Sequence, residues 1–222
     1  MRKLFFKISL VFVLFGWFSI CLAQNNENTN QSQNTLPNSP NEICPILIGE
    51  SVPKLELTKI DGSSFNLNAA IEQKPTILIF YRGGWWPYCN LQLGQLHKIE
   101  SQVIELGYQI IAISADRPEK LQESLQKHDL NYTLLSDSKA ISPQAFGIAY
   151  ILDDKTLERY KGFNIDIEVA SGETHHILPA PSAFVVGTDG IIKFSYTNPN
   201  HRIRIDPDVL LAAAKAALKK DD

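Results

Sequence analysis

The run from Thr76 to Leu93 constrains this chain more than any other, because within eighteen residues an apolar strand must become a helix. Thr76-Ile-Leu-Ile-Phe-Tyr81 is continuously apolar and rich in β-branched and aromatic residues, the composition of a strand buried on both faces. Gly83, Gly84 and Pro87 then end it. From Leu91 onward, Leu93, Leu96, Ile99, Val103 and Leu106 recur at helical spacing. Cys89 therefore falls in the first turn of a helix, where unpaired N–H groups and the positive end of the helix dipole favour a thiolate, the nucleophilic form. Arg82, seven residues earlier, brings a positive charge that would lower the cysteine pKa further, while Trp85, Trp86 and Tyr88 form an aromatic collar.

The motif resembles one branch of the alkyl hydroperoxide reductase/thiol-specific antioxidant (peroxiredoxin-like) family, which reads Tyr-Arg-Gly-Gly-Trp-Cys-Pro-Tyr-Cys-Asn-Leu-Gln-Leu. Twelve of the thirteen positions agree. The exception is Trp86, which stands where that branch has the first cysteine of a Cys-x-x-Cys pair, so Cys89 has no partner for a local dithiol cycle. Compared with typical peroxiredoxins, Cys89-Asn-Leu-Gln-Leu93 fits the pattern after the attacking cysteine. Trp86 replaces the hydroxyl residue before it, and Arg82 replaces a proline. An indole offers only an N–H donor where a hydroxyl would orient a peroxide.

Two further segments extend the likeness. His176 to Gly190 resembles the stretch in which a cis-proline precedes a strand ending in an Asp-Gly turn, which makes Pro181 that proline, packed against the active-site turn. Asn198 to Arg204, followed by a helix, resembles the end of the domain, where an arginine supports the thiolate in related proteins. Arg202 and Arg204 are the candidates, against the plainer reading of both as exposed loop charges.

The resemblance implies an α/β, thioredoxin-like fold with a central mixed β-sheet flanked by helices. It further implies reduction of hydroperoxides by the Cys89 thiolate through a sulfenic acid, with Trp86 and Tyr88 shaping the mouth. The partners it implies are a hydroperoxide substrate and an external thiol or thioredoxin-like reductant, with room for a homodimer and no cofactor or metal. Two other readings stay open. Loss of the first cysteine would leave a non-catalytic binding module, or a single-cysteine thiol-disulfide exchange protein.

Residues 1–23 carry Arg2, Lys3 and Lys7 ahead of the apolar run Ile8 to Leu22 and end in Ala23, the pattern of a cleaved signal peptide. The protein is thus expected to be exported to the periplasm or the exterior. Residues 24–42 are dominated by Asn, Gln, Ser, Thr and Pro, with Leu36 the only large apolar residue, and are expected to be a disordered linker. Residues 43–222 form one domain. A net charge of −3 without a Lys/Arg block argues against a nucleic-acid partner. Of the two cysteines beyond the signal, Cys44 is either a resolving thiol or an incidental small hydrophobe beside Pro45-Ile-Leu-Ile48, and the second reading is favoured.

The pattern predicts strands at Lys54–Thr58, Thr76–Tyr81, Gln109–Ser114, Tyr132–Leu135, Ala183–Val186 and Ile191–Tyr196. Helices are expected at Asn90–Leu106, Pro118–His128, Ile141–Phe146 and Pro207–Lys219. Tyr150 to His176 is charged and without clear period, and reads as a surface excursion; His175 and His176 in it lack the spacing of metal ligands.

Overall fold

A strand with no polar face belongs in the middle of a sheet, and Thr76–Phe80 is there, all five residues buried. A computed structural model describes residues 36–128 and 130–219 of the chain. In chain order they form β1 (Glu56–Lys59), β2 (Ser64–Asn66), α1 (Leu67–Gln73), β3 (Thr76–Phe80), α2 (Pro87–Glu105), β4 (Gln109–Ser114), α3 (Pro118–His128) and β5 (Thr133–Ser136). Then follow α4 (Ile141–Ala145), β6 (Ala149–Ile151), α5 (Asp154–Gly162), α6 (Ile167–Ser171), β7 (Ile177–Pro179), β8 (Ser182–Val186), β9 (Ile192–Thr197) and α7 (Pro207–Ala217). The expected signal peptide and linker residues 24–35 lie outside the described residues.

Seven strands make one mixed sheet in the order β2-β1-β5-β4-β3-β8-β9. β3, β4 and β5 run parallel, joined by crossovers through α2 and α3, while β8 pairs antiparallel with β3 and β9 with β8. The alternation of side chains along β3 divides the core. Ile77, Ile79 and Tyr81 pack with Cys89, Leu93 and Leu96 of α2 and with Leu210 and Leu211 of α7. Leu78 and Phe80 face Leu67 and Ile71 of α1, with Phe146, Phe184 and Ile192. On that second face Phe80, Phe146 and Phe184 pack mutually, with ring centroids 4.8, 5.0 and 5.9 Å apart.

α7 begins as its sequence predicts: Asp206 caps the Asp208 N–H at 2.8 Å, with Pro207 in the first turn. The β1–β2 hairpin turns at Asp61-Gly62, and the β8–β9 hairpin at Asp189-Gly190. α2 starts at Pro87 rather than Asn90, because proline is pre-set for the first helical position.

Two expectations are corrected. Tyr150 to His176 is not a surface excursion: the end of β6 and all of α5 and α6 lie in it, and Tyr150, Tyr160 and Ile167 bury together with Leu178 of β7. Caps at Asp153, which accepts from the Thr156 N–H at 2.6 Å, and at Asp166 start the two helices; their few apolar residues are buried by tertiary packing that periodicity does not register. Residues 36–42, expected as part of a disordered linker, are placed against the domain. Leu36 packs on Ala140, Ala149 and Ile177, and the Pro37 carbonyl accepts from the Ile151 N–H at 2.9 Å, so the segment's single large apolar residue has a partner after all.

Phe184→Ala should lower unfolding free energy by about 3–5 kcal/mol, as large-to-small changes in aromatic cores do. Urea denaturation checks it: a shifted midpoint at unchanged slope is expected, whereas a loss under about 1 kcal/mol would mean the ring cluster can collapse around the gap.

Candidate active site

The turn between β3 and α2 is held from behind by β4. Asp116, just past β4, accepts the Gly84 N–H at 2.7 Å and the Trp85 indole N–H at 3.0 Å. The Asn90 amide donates back to the Gly84 carbonyl at 2.8 Å, closing the turn. So close an approach needs glycine. A Cβ on Gly83, whose φ is +152°, would meet the Trp85 indole and lie 2.6 Å from an Asp116 oxygen, and one on Gly84 would collide with the Ser124 hydroxyl. Burial raises the Asp116 pKa from 3.8 to about 7, with the Gly84 and Trp85 bonds opposing the rise only in part.

This turn sets Trp86 as the N-cap of α2 and Cys89 three positions on. Trp86 makes no side-chain capping bond, so the positive end of the helix is not answered by a cap. Cys89 is fully buried and free. Its Sγ accepts from Nη2 of Arg204 at 3.3 Å, across 115 residues of sequence. Arg204 is held by donating Nη1 to the His201 carbonyl at 2.6 Å and the Ile203 carbonyl at 3.0 Å. The loop that carries it is tied to β8 through the Asn198 N–H and the Pro181 carbonyl, 3.1 Å apart. A guanidinium N–H on sulfur is a charge-assisted bond that favours the thiolate.

Arg82 stands elsewhere. It is 1 % exposed, with its guanidinium carbon 5.1 Å from the Trp86 ring centroid, 5.5 Å from Tyr160 and 5.9 Å from Trp85. No nitrogen of its side chain has a hydrogen-bond partner among the described residues. Cation–π attraction in a desolvated site is worth about 2 kcal/mol, less than the several kcal/mol that burying an ion costs. The thiolate support expected of Arg82 is thus a contact of Arg204, and Arg202 is exposed.

Trp86 is the hub of the aromatic cluster, with centroids 5.2 Å from His201, 5.4 Å from Tyr160, 5.9 Å from Trp85 and 6.2 Å from Tyr88. Tyr88 is 38 % exposed at its rim. Burial, with the charges of Arg82, Arg202, Arg204 and Arg159, lowers the His201 pKa to about 4, so the imidazole is neutral over the ordinary range. Pro181 is buried at the foot of β8, but its peptide bond is trans, as is every described one. The expected cis bond is absent, and the Ala180–Pro181 peptide takes the trans form that X-Pro bonds favour by about 0.5–1 kcal/mol. Cys44 is exposed and unpaired, its carbonyl pressed against Gly147, while Ile43 beside it packs against the buried cluster that holds Tyr150, Tyr160 and Leu178. His175 bonds the Ser138 carbonyl at 2.7 Å and His176 the Glu168 carboxylate at 2.6 Å.

The family profile described as AhpC/TSA family matches residues 48–195, a span that holds the turn, Cys89 and all of the central sheet but the end of β9. The chain belongs to the AhpC/TSA family. Over 104 residues it is 33% identical to Peroxiredoxin Bcp of Escherichia coli (strain K12), a match covering 47% of this chain and 66% of that protein. Over 103 residues it is 30% identical to Peroxiredoxin Bcp of Bacillus subtilis (strain 168), covering 46% and 65%. Each match thus spans just under two thirds of the relative. Among solved structures, peroxidoxin BcpB from Mycobacterium tuberculosis superposes with a TM-score of 0.61 at 20% identity, covering 78% of this chain and 98% of that one. Xanthomonas campestris peroxiredoxin Q gives 0.61 at 17%, covering 79% and 99%. At such identities the likeness is one of fold, and it is the thioredoxin-like fold expected from the sequence.

Tyr160, His201 and Asp116 are the site residues that AhpC/TSA motif reading does not mark. Asp116 carried a signal, since an acidic residue directly after a buried parallel strand sits at the sheet's carboxyl end, beside the turn. Tyr160 and His201 carried none.

The Asp116 carboxyl keeps its proton up to about pH 7 when folded and loses it near 3.8 when unfolded. Its protonated form therefore favours folding at low pH, an advantage lost as pH rises from about 4 to about 7 and constant above that. Relative to Asp116→Asn, which cannot titrate, the natural protein should lose stability over that window by up to about 1.4 kcal/mol per pH unit. Urea unfolding of both at pH 4.5, 6 and 8 checks this, and a pH-independent difference would contradict it.

Proposed function

We propose that the protein is a thiol peroxidase whose reactive group is Cys89. The observation that carries this reading is the Arg204 guanidinium donating to Sγ at 3.3 Å, on a thiol in the first turn of α2. The thiolate attacks the terminal oxygen of a hydroperoxide and the O–O bond breaks. Sulfur gains the oxygen as a sulfenic acid, and the departing alkoxide takes a proton to leave as water or an alcohol. A thiol then attacks the sulfenic sulfur, releasing water and leaving a mixed disulfide, which a second thiol reduces to restore Cys89. With Trp86 in place of a nearby cysteine, those thiols come from an external reductant or, for the first step, from Cys44. Support for the reading comes also from membership of the AhpC/TSA family and from the peroxiredoxin names of its relatives. The apolar, positively flanked N-terminus supports action outside the cytoplasm, after removal of residues 1–23.

One observation favours a second reading. Cys89 is wholly covered, so a binding module in which the thiol is structural fits the closed site equally well. The rate of reaction with hydrogen peroxide separates the two. A peroxidase shows sulfenic acid formation at Cys89 orders of magnitude faster than a free thiol, abolished in Cys89→Ser and slowed at least tenfold in Arg204→Met at fixed pH. A rate equal to that of free cysteine, or activity surviving in Cys89→Ser, would sink the peroxidase reading.

A further inference from the structure

α5, α6 and the turn that joins them line a cavity of about 250 Å³, the liquid volume of about eight waters at ~30 Å³ each. Its buried side is apolar. Leu157 and Tyr160 of α5, with Ile165 and Ile167 at the entry to α6, belong to the hydrophobic cluster beneath it. Its rim is acidic: Asp154, Glu158, Asp166 and Glu168 line it, against Lys161 and His176. Of these carboxylates Glu168 has a basic partner, the His176 imidazole at 2.6 Å. The ion pairs among the described residues include none of Asp154, Glu158, Asp166 and Lys161. Asp154 and Glu158 stand one turn apart on α5, a like-charge pair that disfavours the helix until a cation answers it. A metal ion does not fit that need, because no three His, Cys, Asp or Glu side chains among the described residues come together as ligands.

We propose that this cavity binds an amphipathic organic cation, a small molecule with one protonated amine and one apolar body. The two parts of the lining match the two parts of such a ligand. An alkyl or aromatic body takes the place of water over Leu157, Ile165 and Ile167. The ammonium, a compact charge with three donors, answers carboxylates that stand on more than one side of it. A cleft lined mostly by one sign of charge also concentrates the opposite sign, which turns anions away and gives a neutral molecule no advantage. The site is separate from the thiol chemistry and does not depend on it. Tyr160 joins the two all the same: it lines the cavity, and its ring centroid is 5.4 Å from that of Trp86, so a ligand seated on it rests against the aromatic cluster that covers Cys89.

Calorimetric titration of 2-phenylethylamine into the protein at low ionic strength tests this, with 2-phenylethanol as the uncharged isostere. The amine should fill one saturable site with an affinity at least about tenfold above that of the alcohol, and the advantage should shrink as salt is added. In Asp154→Asn/Glu158→Gln the amine should lose at least about tenfold in affinity. Both side chains are exposed and their neutralisation removes a repulsion, so the variant should unfold at the same urea concentration as the natural protein or a higher one. Glu158→Lys is the second variant. It places a tethered ammonium in the rim, paired with Asp154 one turn back, and should leave the free amine no site. Equal affinities for amine and alcohol, an affinity unchanged in either variant, or no saturable binding at all overturns the proposal. Displacement of the amine by an equimolar amount of calcium overturns it too, since the rim would then be a metal site.

Discussion

The site depends on a buried carboxyl that does no chemistry of its own. Asp116 holds the Gly84 amide and the Trp85 indole from the end of β4, and through them fixes the direction in which β3 hands over to α2. The position of Cys89 in the first helical turn and of Trp86 above it both follow from that anchor. The two glycines are its counterpart, since any side chain there would occupy the space that the carboxyl needs. Burial leaves Asp116 with a proton that it gives up only near neutrality, so the anchor is strongest as an acceptor when the carboxylate is charged, although that form is also the more expensive to bury.

Much of this was legible in the sequence where structure is locally determined. The apolar run Thr76–Tyr81, the breaking glycines and the periodic leucines placed strand, turn and helix correctly, and with them Cys89 in the first helical turn, though not its burial. Gln109–Ser114 and Pro118–His128 match their elements residue for residue, because each begins and ends at clear Gly, Pro or polar punctuation. What was not legible depends on distance along the chain. Arg204 reaches Cys89 from 115 residues away, and the likeness of the Asn198–Arg204 segment could suggest two arginines but not choose between them. Arg82 is closer in sequence, yet its side chain turns to the aromatic rings rather than to sulfur. α5 and α6 escaped notice because their buried residues, Tyr160 and Ile167 among them, are too few to make a period. The placement of Leu36 against Ala149 and Ile177 was hidden in a segment whose composition otherwise spoke for a spacer.

Trp86 changes the character of the site more than the loss of a second thiol suggests. A cysteine at that position would be small and would carry no ring to pack on these neighbours. The indole instead touches Trp85, Tyr88, Tyr160, His201 and Arg82 at once, joining α2, α5 and the loop before α7 into one cluster. A redox partner three residues away has been exchanged for a cover, and the thiol beneath it has no exposed surface.

The neutral imidazole at His201 has a consequence for the environments in which the site keeps its character. Histidine is the side chain whose charge ordinarily changes between pH 5 and 8, and here the surrounding guanidiniums and burial push that change down to about 4. Arginine does not titrate in that range. His201 and the arginines around it therefore carry the same charge in a mildly acidic medium as in a neutral one, and the group of the site that answers acidification is the Asp116 carboxyl behind the turn.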